Sequence, residues 1–208
     1  MAALNSAGTI VTPEPRRDAP ARRFESGSWR FNENRRGTSF GEDDCRSGRP
    51  LRSLCSDGGL GGRADLLDYL AAHNIAPADY IGIEAVGELV AVAQKKQHRH
   101  AKVIEADFVE NPASLFVGAE VVIISGALNT LDTPTFYTTI RRAFDAAAQA
   151  LVFNFLDSPS LAAASYLTWH AREEVVDFAH SLSREVHILS DYLDGDSTIA
   201  IKKKDVHT

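Results

Sequence analysis

Ser56-Asp57-Gly58-Gly59-Leu60-Gly61-Gly62 sets a run of glycines directly ahead of a stretch with helical spacing. Glycines there allow a tight turn and let a ligand approach backbone N–H groups at a helix N-terminus. Glu84 stands 22 residues beyond Gly62, about the distance at which an acid reaches ribose hydroxyls in nucleotide-binding folds. Further polar clusters each follow an apolar run: Asp107-Phe108, then Ser125-Gly126-Ala127-Leu128-Asn129, then Asp157-Ser158. Tyr166, Trp169 and His170 come next, before the last helical stretch.

These clusters need a scaffold that brings them to one edge. From residue 63 the chain alternates amphipathic stretches with short apolar runs, the pattern of a parallel sheet with helices on both faces. Arg63 to His73 spaces Leu66, Leu67, Leu70 and Ala71 for a helix that Asn74 ends. Gly87 to His98, Phe136 to Ala150 and Glu173 to Leu182 read as three more helices. The strands expected are Leu51 to Cys55, Tyr80 to Glu84, Ala101 to Ala106, Ala119 to Ser125 and Leu151 to Leu156, followed by Glu185 to Ser190 and Thr198 to Lys202. Ala119 to Ser125 is the most apolar run, as a parallel strand covered on both faces should be, and belongs in the middle of the sheet. The Asp/Gly-rich link Asp191 to Ser197 is too short for a crossover helix, so the last two strands must be antiparallel. The expectation is an α/β fold: a Rossmann-like doubly wound sheet of about seven strands, mostly parallel, with a C-terminal antiparallel hairpin. Ligands of such sheets sit beyond the carboxyl ends of the strands, near the point where strand order reverses. The candidate clusters gather there.

Composition narrows the classes. Within 208 residues, 28 Asp and Glu outnumber 22 Lys and Arg, and the net charge of -6 disfavours a dedicated nucleic-acid binder. No apolar run approaches the roughly 18 residues of a membrane-spanning helix. Two cysteines, Cys45 and Cys55, exclude a disulfide-rich scaffold or a four-cysteine zinc site, and no His/Asp spacing suggests a metal. The charge is uneven. Residues 1–62 hold 10 Arg, 8 acids and 9 of the 14 Gly, leaving net -8 on residues 63–208. The first stretch has too few apolar residues to offset the entropy of ordering it, so residues 1–50 are expected to be a disordered Arg/Gly/Pro-rich extension and 51–204 the folded domain. Its arginine pairs at 16–17, 22–23 and 35–36 have no apolar stretch behind them and are interrupted by acids. That argues against an export or transit signal and makes the cytoplasm the expected compartment.

Segments YIGIEAVGELVAVAQ, VIEADF and VVIISGALNTL, together with the terminal hairpin, resemble the class I S-adenosylmethionine-dependent methyltransferases over roughly residues 52–203. The resemblance implies S-adenosylmethionine as cofactor and methyl transfer to a small-molecule acceptor. It sets Asp57, Gly59, Gly61 and Gly62 in the loop that faces the methionine part of the cofactor. Glu84, with Ala85 beside it, falls on the ribose, and Asp107 on the adenine amine with Phe108 packing nearby. Ser125 and Gly126 would flank the cofactor, while Asn129, Tyr166, Trp169 and His170 stand where the family builds its substrate wall. No catalytic base is singled out, since the sulfonium is already a strong methyl donor and positioning supplies most of the catalysis.

The glycine loop departs from the family pattern DxGxGxG. Counted back from the helix, only Gly62 matches a key position; counted from Asp57, Gly59 and Gly61 also match and Arg63 replaces the last glycine. Two rival readings follow. One is a catalytically silent relative that kept the fold and a binding or scaffold role. The other is an NAD(P)-binding oxidoreductase, because Gly59-Leu60-Gly61-Gly62-Arg63-Ala64 also satisfies GxGxxA. Bland readings stand beside the sharp ones: Glu84 as a solvated strand end, Trp169 as a core residue, His170 as a helix-start residue. The cluster of His98 and His100 beside Lys95 and Lys96 reads as a solvated helix end.

Overall fold

The computed structural model describes residues 3–4, 10–11, 53–58, 64–75 and 77–204. The chain divides into two units, Met1–Phe31 and Asn32–Thr208. In the first, Ala3–Leu4 and Ile10–Val11 pair as short antiparallel strands. The expected disorder over the rest of residues 1–50 lies outside the described residues.

The second unit is built on one mixed sheet. Its strands are β1 (Ser53–Gly58), β2 (Asp79–Glu84), β3 (Ala101–Glu105), β4 (Val121–Ser125), β5 (Ala150–Leu156), β6 (Glu185–Leu189) and β7 (Asp196–Lys202). They lie in the order β3-β2-β1-β4-β5-β7-β6. The first five run parallel, and β7 is antiparallel to both β5 and β6. Strand order therefore reverses between β1 and β4. The chain moves outward from β1 to β3 and then crosses to β4 and beyond.

β1 corrects the expected strand Leu51 to Cys55. It continues through Ser56, Asp57 and Gly58, residues of turn-forming type, because neighbouring strands hold them: Asp57 is in register with Ile83 on one side and Ile124 on the other, and Gly58 with Ser125 on one side. A central strand is specified by its neighbours more than by its own propensity.

Four helices carry the crossovers and the approach to the hairpin: α1 (Asp65–Ala72), α2 (Gly87–Lys95), α3 (Thr133–Ala146) and α4 (Arg172–Leu182). In α1, Asp65 and Asp68 occupy the first turn, where negative charge suits the helix dipole. Asn74, at φ +58, closes it in the left-handed region. α3 starts earlier than the expected Phe136 and stops before the expected Ala150. Asp132 caps it by accepting the Thr135 N–H at 2.8 Å, and Pro134 fits the first turn, where its missing N–H is harmless. Its end is fixed by the Ala148 and Gln149 N–H groups, which donate to Ala119 and Glu120 carbonyls and lead into β5.

Two cores form, one on each face. Phe136, Ile140 and Ala143 of α3 and Val175 and Ala179 of α4 bury against Val122, Ile124, Leu151, Phe153, Phe155, Ile199 and Ile201. On the opposite face Ala64, Leu67 and Ala93 meet Tyr80, Val121 and Ala150, with Val103 and Val152 packed alongside. Each fully buried aliphatic or aromatic side chain contributes about 1.5–3 kcal/mol, so these two layers hold the sheet edge in place.

Candidate functional site at the carboxyl edge of the sheet

One half of the carboxyl edge lies over β3, β2 and β1. Adjacent strands sit about 4.8 Å apart, so the ends of β3, β2, β1 and β4 span roughly 14 Å. Glu84 ends β2 and is 7% exposed. Its Oε1 accepts the Val86 N–H at 2.9 Å, which folds the carboxylate toward the start of α2, and Ala85 beside it is exposed. Oε2 of Glu84 has no donor among the described residues. Glu105, not singled out from sequence, ends β3 in register with Glu84. Its carboxylate lies against Gly87, the first residue of α2: a Cβ there would stand 3.1 Å from Glu105 Oε2, a tight contact that the exposed Glu105 side chain would have to relieve by shifting.

Asp107 is exposed, and its Oδ1 accepts the N–H groups of Val109 and Glu110 at 2.8 and 3.1 Å, an Asx-type turn that leaves Oδ2 open. Phe108 is buried in the larger core, so its ring supports this turn from beneath. Asp57 lies on β1 next to its carboxyl end, between Ile83 and Ile124. Gly59, Gly61 and Gly62 fall outside the described residues.

The other half lies over β4, β5 and β7. Ser125 is buried at the end of β4, opposite Gly58. Gly126 follows at φ +80 and leads into a 3-10 turn, Ala127–Thr130, that carries Asn129. Asn129 is a connector. Its Oδ1 accepts the Leu156 N–H at 3.1 Å and its carbonyl accepts the Thr168 N–H at 2.7 Å, while Nδ2 has no acceptor among the described residues. His170, whose N–H donates to the Leu156 carbonyl at 2.9 Å, completes this seam. Its ring is 5% exposed and stacks on Phe136 with centroids 3.9 Å apart. Burial lowers its pKa below 6.5, against an opposing pull from Glu174, and its enclosed Nε2 has no partner among the described residues. His170 thus precedes α4 as an interior residue. Trp169 and Tyr166 turn outward, 45% and 57% exposed, so Trp169 is not a core residue.

A polar junction beneath this half was not anticipated. Gly126 N–H donates to Asn154 Oδ1 at 2.8 Å, and Asn154 Nδ2 donates to both carboxylate oxygens of Asp196 at 3.1 and 3.3 Å. Tyr192 O–H also donates to Asp196, and its oxygen lies 2.8 Å from Thr198 Oγ1. Beside it, Arg172 and Ser197 both donate to Asp157. Burial raises the Asp196 carboxyl above 3.8 and the nearby Asp157 adds to this, against the hydrogen bonds from Tyr192 and Asn154. Burial and Asp196 likewise push the Tyr192 phenol up. The signal was present in LVFNFL: an asparagine inside an otherwise apolar strand must find buried partners.

No family model matches the sequence, and no curated protein does. Solved structures do share its fold. The magnesium protoporphyrin IX methyltransferase of Synechocystis, crystallised with S-adenosylhomocysteine, superposes with a TM-score of 0.59 at 15% identity over 77% of this chain and 78% of that one. An S-adenosylmethionine-dependent methyltransferase from Archaeoglobus fulgidus gives 0.56 at 16% identity, over 77% and 92%. A small RNA methyltransferase gives 0.59 at 10% identity, over 85% of this chain and 27% of that one. The fold is the one that class I S-adenosylmethionine-dependent methyltransferases share. No described helix is long and apolar enough to cross a membrane.

Proposed function

We propose that the chain is an S-adenosylmethionine-dependent methyltransferase acting on a small-molecule acceptor. The observation that carries this reading is the alignment of carboxylates along the edge beside the β1/β4 reversal: Glu84 and Asp107 each keep one oxygen open while the other is fixed by backbone N–H groups. An oriented carboxylate oxygen suits hydrogen bonding to a vicinal diol or an exocyclic amine. Glu84 takes the ribose hydroxyls, with Ala85 beside them, and Asp107 the adenine amine, with Phe108 as its support. The methionine part is assigned to the loop of Asp57, Gly59, Gly61 and Gly62 on the family resemblance, with Ser125 and Gly126 bordering it on the β4 side. When bound, S-adenosylmethionine supplies an electrophilic methyl group for in-line displacement by the acceptor. The chain's contribution is orientation and water exclusion. Asn129 Nδ2, Tyr166 and Trp169 present polar and aromatic contacts to the acceptor, and the buried neutral His170 backs that wall.

A small acceptor is favoured over nucleic acid by the -8 charge of residues 63–208. Calorimetric titration with S-adenosylmethionine and S-adenosylhomocysteine tests the reading. Micromolar binding is expected, and absence of both heat and thermal shift at millimolar ligand would leave the silent-scaffold reading in its place. Glu84→Ala should weaken binding about tenfold to a hundredfold, the weight of one or two hydrogen bonds to a charged group. Unchanged affinity would remove Glu84 from the ribose site.

A further inference from the structure

Gly126 is the first residue past β4, at the edge where strand order reverses, and its φ of +80 directs its N–H toward β5. Its carbonyl accepts the Asn129 N–H at 3.2 Å, so Gly126 also sets the turn that presents Asn129. On β5, Asn154 stands in register with Thr198, and Leu156 with Asp196, which places Asn154, Thr198 and Asp196 on one face of the sheet. Tyr192 reaches onto that face from the β6–β7 link.

The chemistry of this bridge is restrictive. A backbone N–H only donates and a carboxylate only accepts, so the group between Gly126 and Asp196 must accept on one side and donate on the other. A primary amide does both. Aspartate at 154 would oppose two carboxylates, and leucine would leave a buried N–H and a buried carboxylate without their partner.

We propose that Asn154 is a positioning residue that fixes the loop after β4 and makes its conformation depend on the β6–β7 hairpin through Asp196 and Tyr192. Resting on the methyltransferase reading, this ties the cofactor-flanking Gly126 to the hairpin that borders the acceptor half. Displacing Tyr192 frees Asp196 to turn, Asn154 follows its acceptor, and the Gly126 N–H loses its alignment.

The test uses the full chain labelled with nitrogen-15 and compares Asn154→Asp, Tyr192→Phe and Ser183→Ala. Ser183 ties the far end of β7 by donating to the Lys202 carbonyl at 2.6 Å, so Ser183→Ala loosens the hairpin without touching the bridge. The Gly126 amide resonance should move and its hydrogen exchange quicken in Asn154→Asp and in Tyr192→Phe, and stay in place in Ser183→Ala. S-adenosylhomocysteine affinity should fall about tenfold in the first two, the weight of one buried hydrogen bond. An unmoved Gly126 amide in folded Tyr192→Phe, or an equal shift in Ser183→Ala, would overturn the proposal. So would a shifted amide with unchanged affinity. If the unaltered protein binds no S-adenosylhomocysteine, the methyltransferase reading fails by itself, and the amide comparison still decides whether the hairpin controls the loop.

Discussion

His170 shows how a single buried ring couples the β4–β5–β7 half of the sheet edge to pH. Its folded pKa lies below the ordinary 6.5, so between those two values the unfolded chain binds more protons than the folded one. Stability from this group is therefore complete above about 6.5 and is lost as pH falls through that window. His170→Gln, which keeps a polar side chain without the titration, should flatten the dependence of melting temperature on pH as pH falls below 6.5. An unaltered slope would mean that other groups control that window. Asn129 makes a second prediction at this scale. Because its Oδ1 holds the buried Leu156 N–H, Asn129→Ala leaves that donor unpaired and should cost about 1–3 kcal/mol in chemical denaturation. A loss below a few tenths would show that water replaces the amide. Both residues were visible in the sequence as chemistry-bearing, yet their partners were not. Spacing along the chain reveals which strand end a side chain follows, whereas the Leu156 N–H and the Phe136 ring reach them from distant segments.

Helix pairing explains what the basic cluster before β3 does. Lys96 lies 2.7 Å from Asp65 and 2.5 Å from Asp68, and His98 Nε2 lies 2.8 Å from Asp68, so α1 and α2 are bound by an ion network instead of ending in free charges. Burial works against the charged form of both Asp68 and Lys96, but their mutual contacts prevail, lowering Asp68 below 3.8 and raising Lys96 above 10.5. Stability from Asp68 is present above 3.8 and lost as pH falls through its lowered value; that from Lys96 is present below 10.5 and lost as pH rises through its raised value. These groups are partly exposed, so Lys96→Met should cost only about 1 kcal/mol at neutral pH. High salt should erase most of that difference, and persistence of the full loss in salt would locate the effect in packing. Gly195 makes a sterner case. It sits at φ +88, and a Cβ would stand 3.1 Å from Leu161 Cγ and Ser158 Cβ. Gly195→Ala should cost at least about 1–2 kcal/mol from backbone strain alone, and an undiminished melting temperature would show that the link readily rearranges. Elements were the most legible level of this sequence. The helix of Leu66, Leu67 and Leu70 and the antiparallel hairpin follow from periodicity and link length. What misled was local chemistry: Ser56 and Asp57 carry turn signals but are held as strand by two neighbours and Gly58 by one, and Asp132-Thr133-Pro134 opens α3 ahead of its first apolar residue.

For the molecule as a whole, a ligand that binds only the folded state raises its stability by mass action. S-adenosylhomocysteine at a hundred times its dissociation constant should add about 2.7 kcal/mol. For a domain of this size that corresponds to roughly 5–10 °C in melting temperature. A shift cut by about half or more in Glu84→Ala at the same ligand concentration but kept in Lys96→Met would place the ligand over β2 and away from the α1–α2 ion network. The strand order carries one more consequence. β7 lies between β5 and β6, although it is made after both. While the chain is being synthesised, β6 therefore emerges from the ribosome with no place in the sheet, and the outer edge of β5 stays bare. Only when Asp196 to Lys202 has been released can both gaps close, with the Asn154 bridge formed in the same event. A stop codon ahead of residue 196 should thus remove two strands from the sheet instead of one. Until β7 has been made, the nascent protein would expose the unpaired edge of β5 to chaperones.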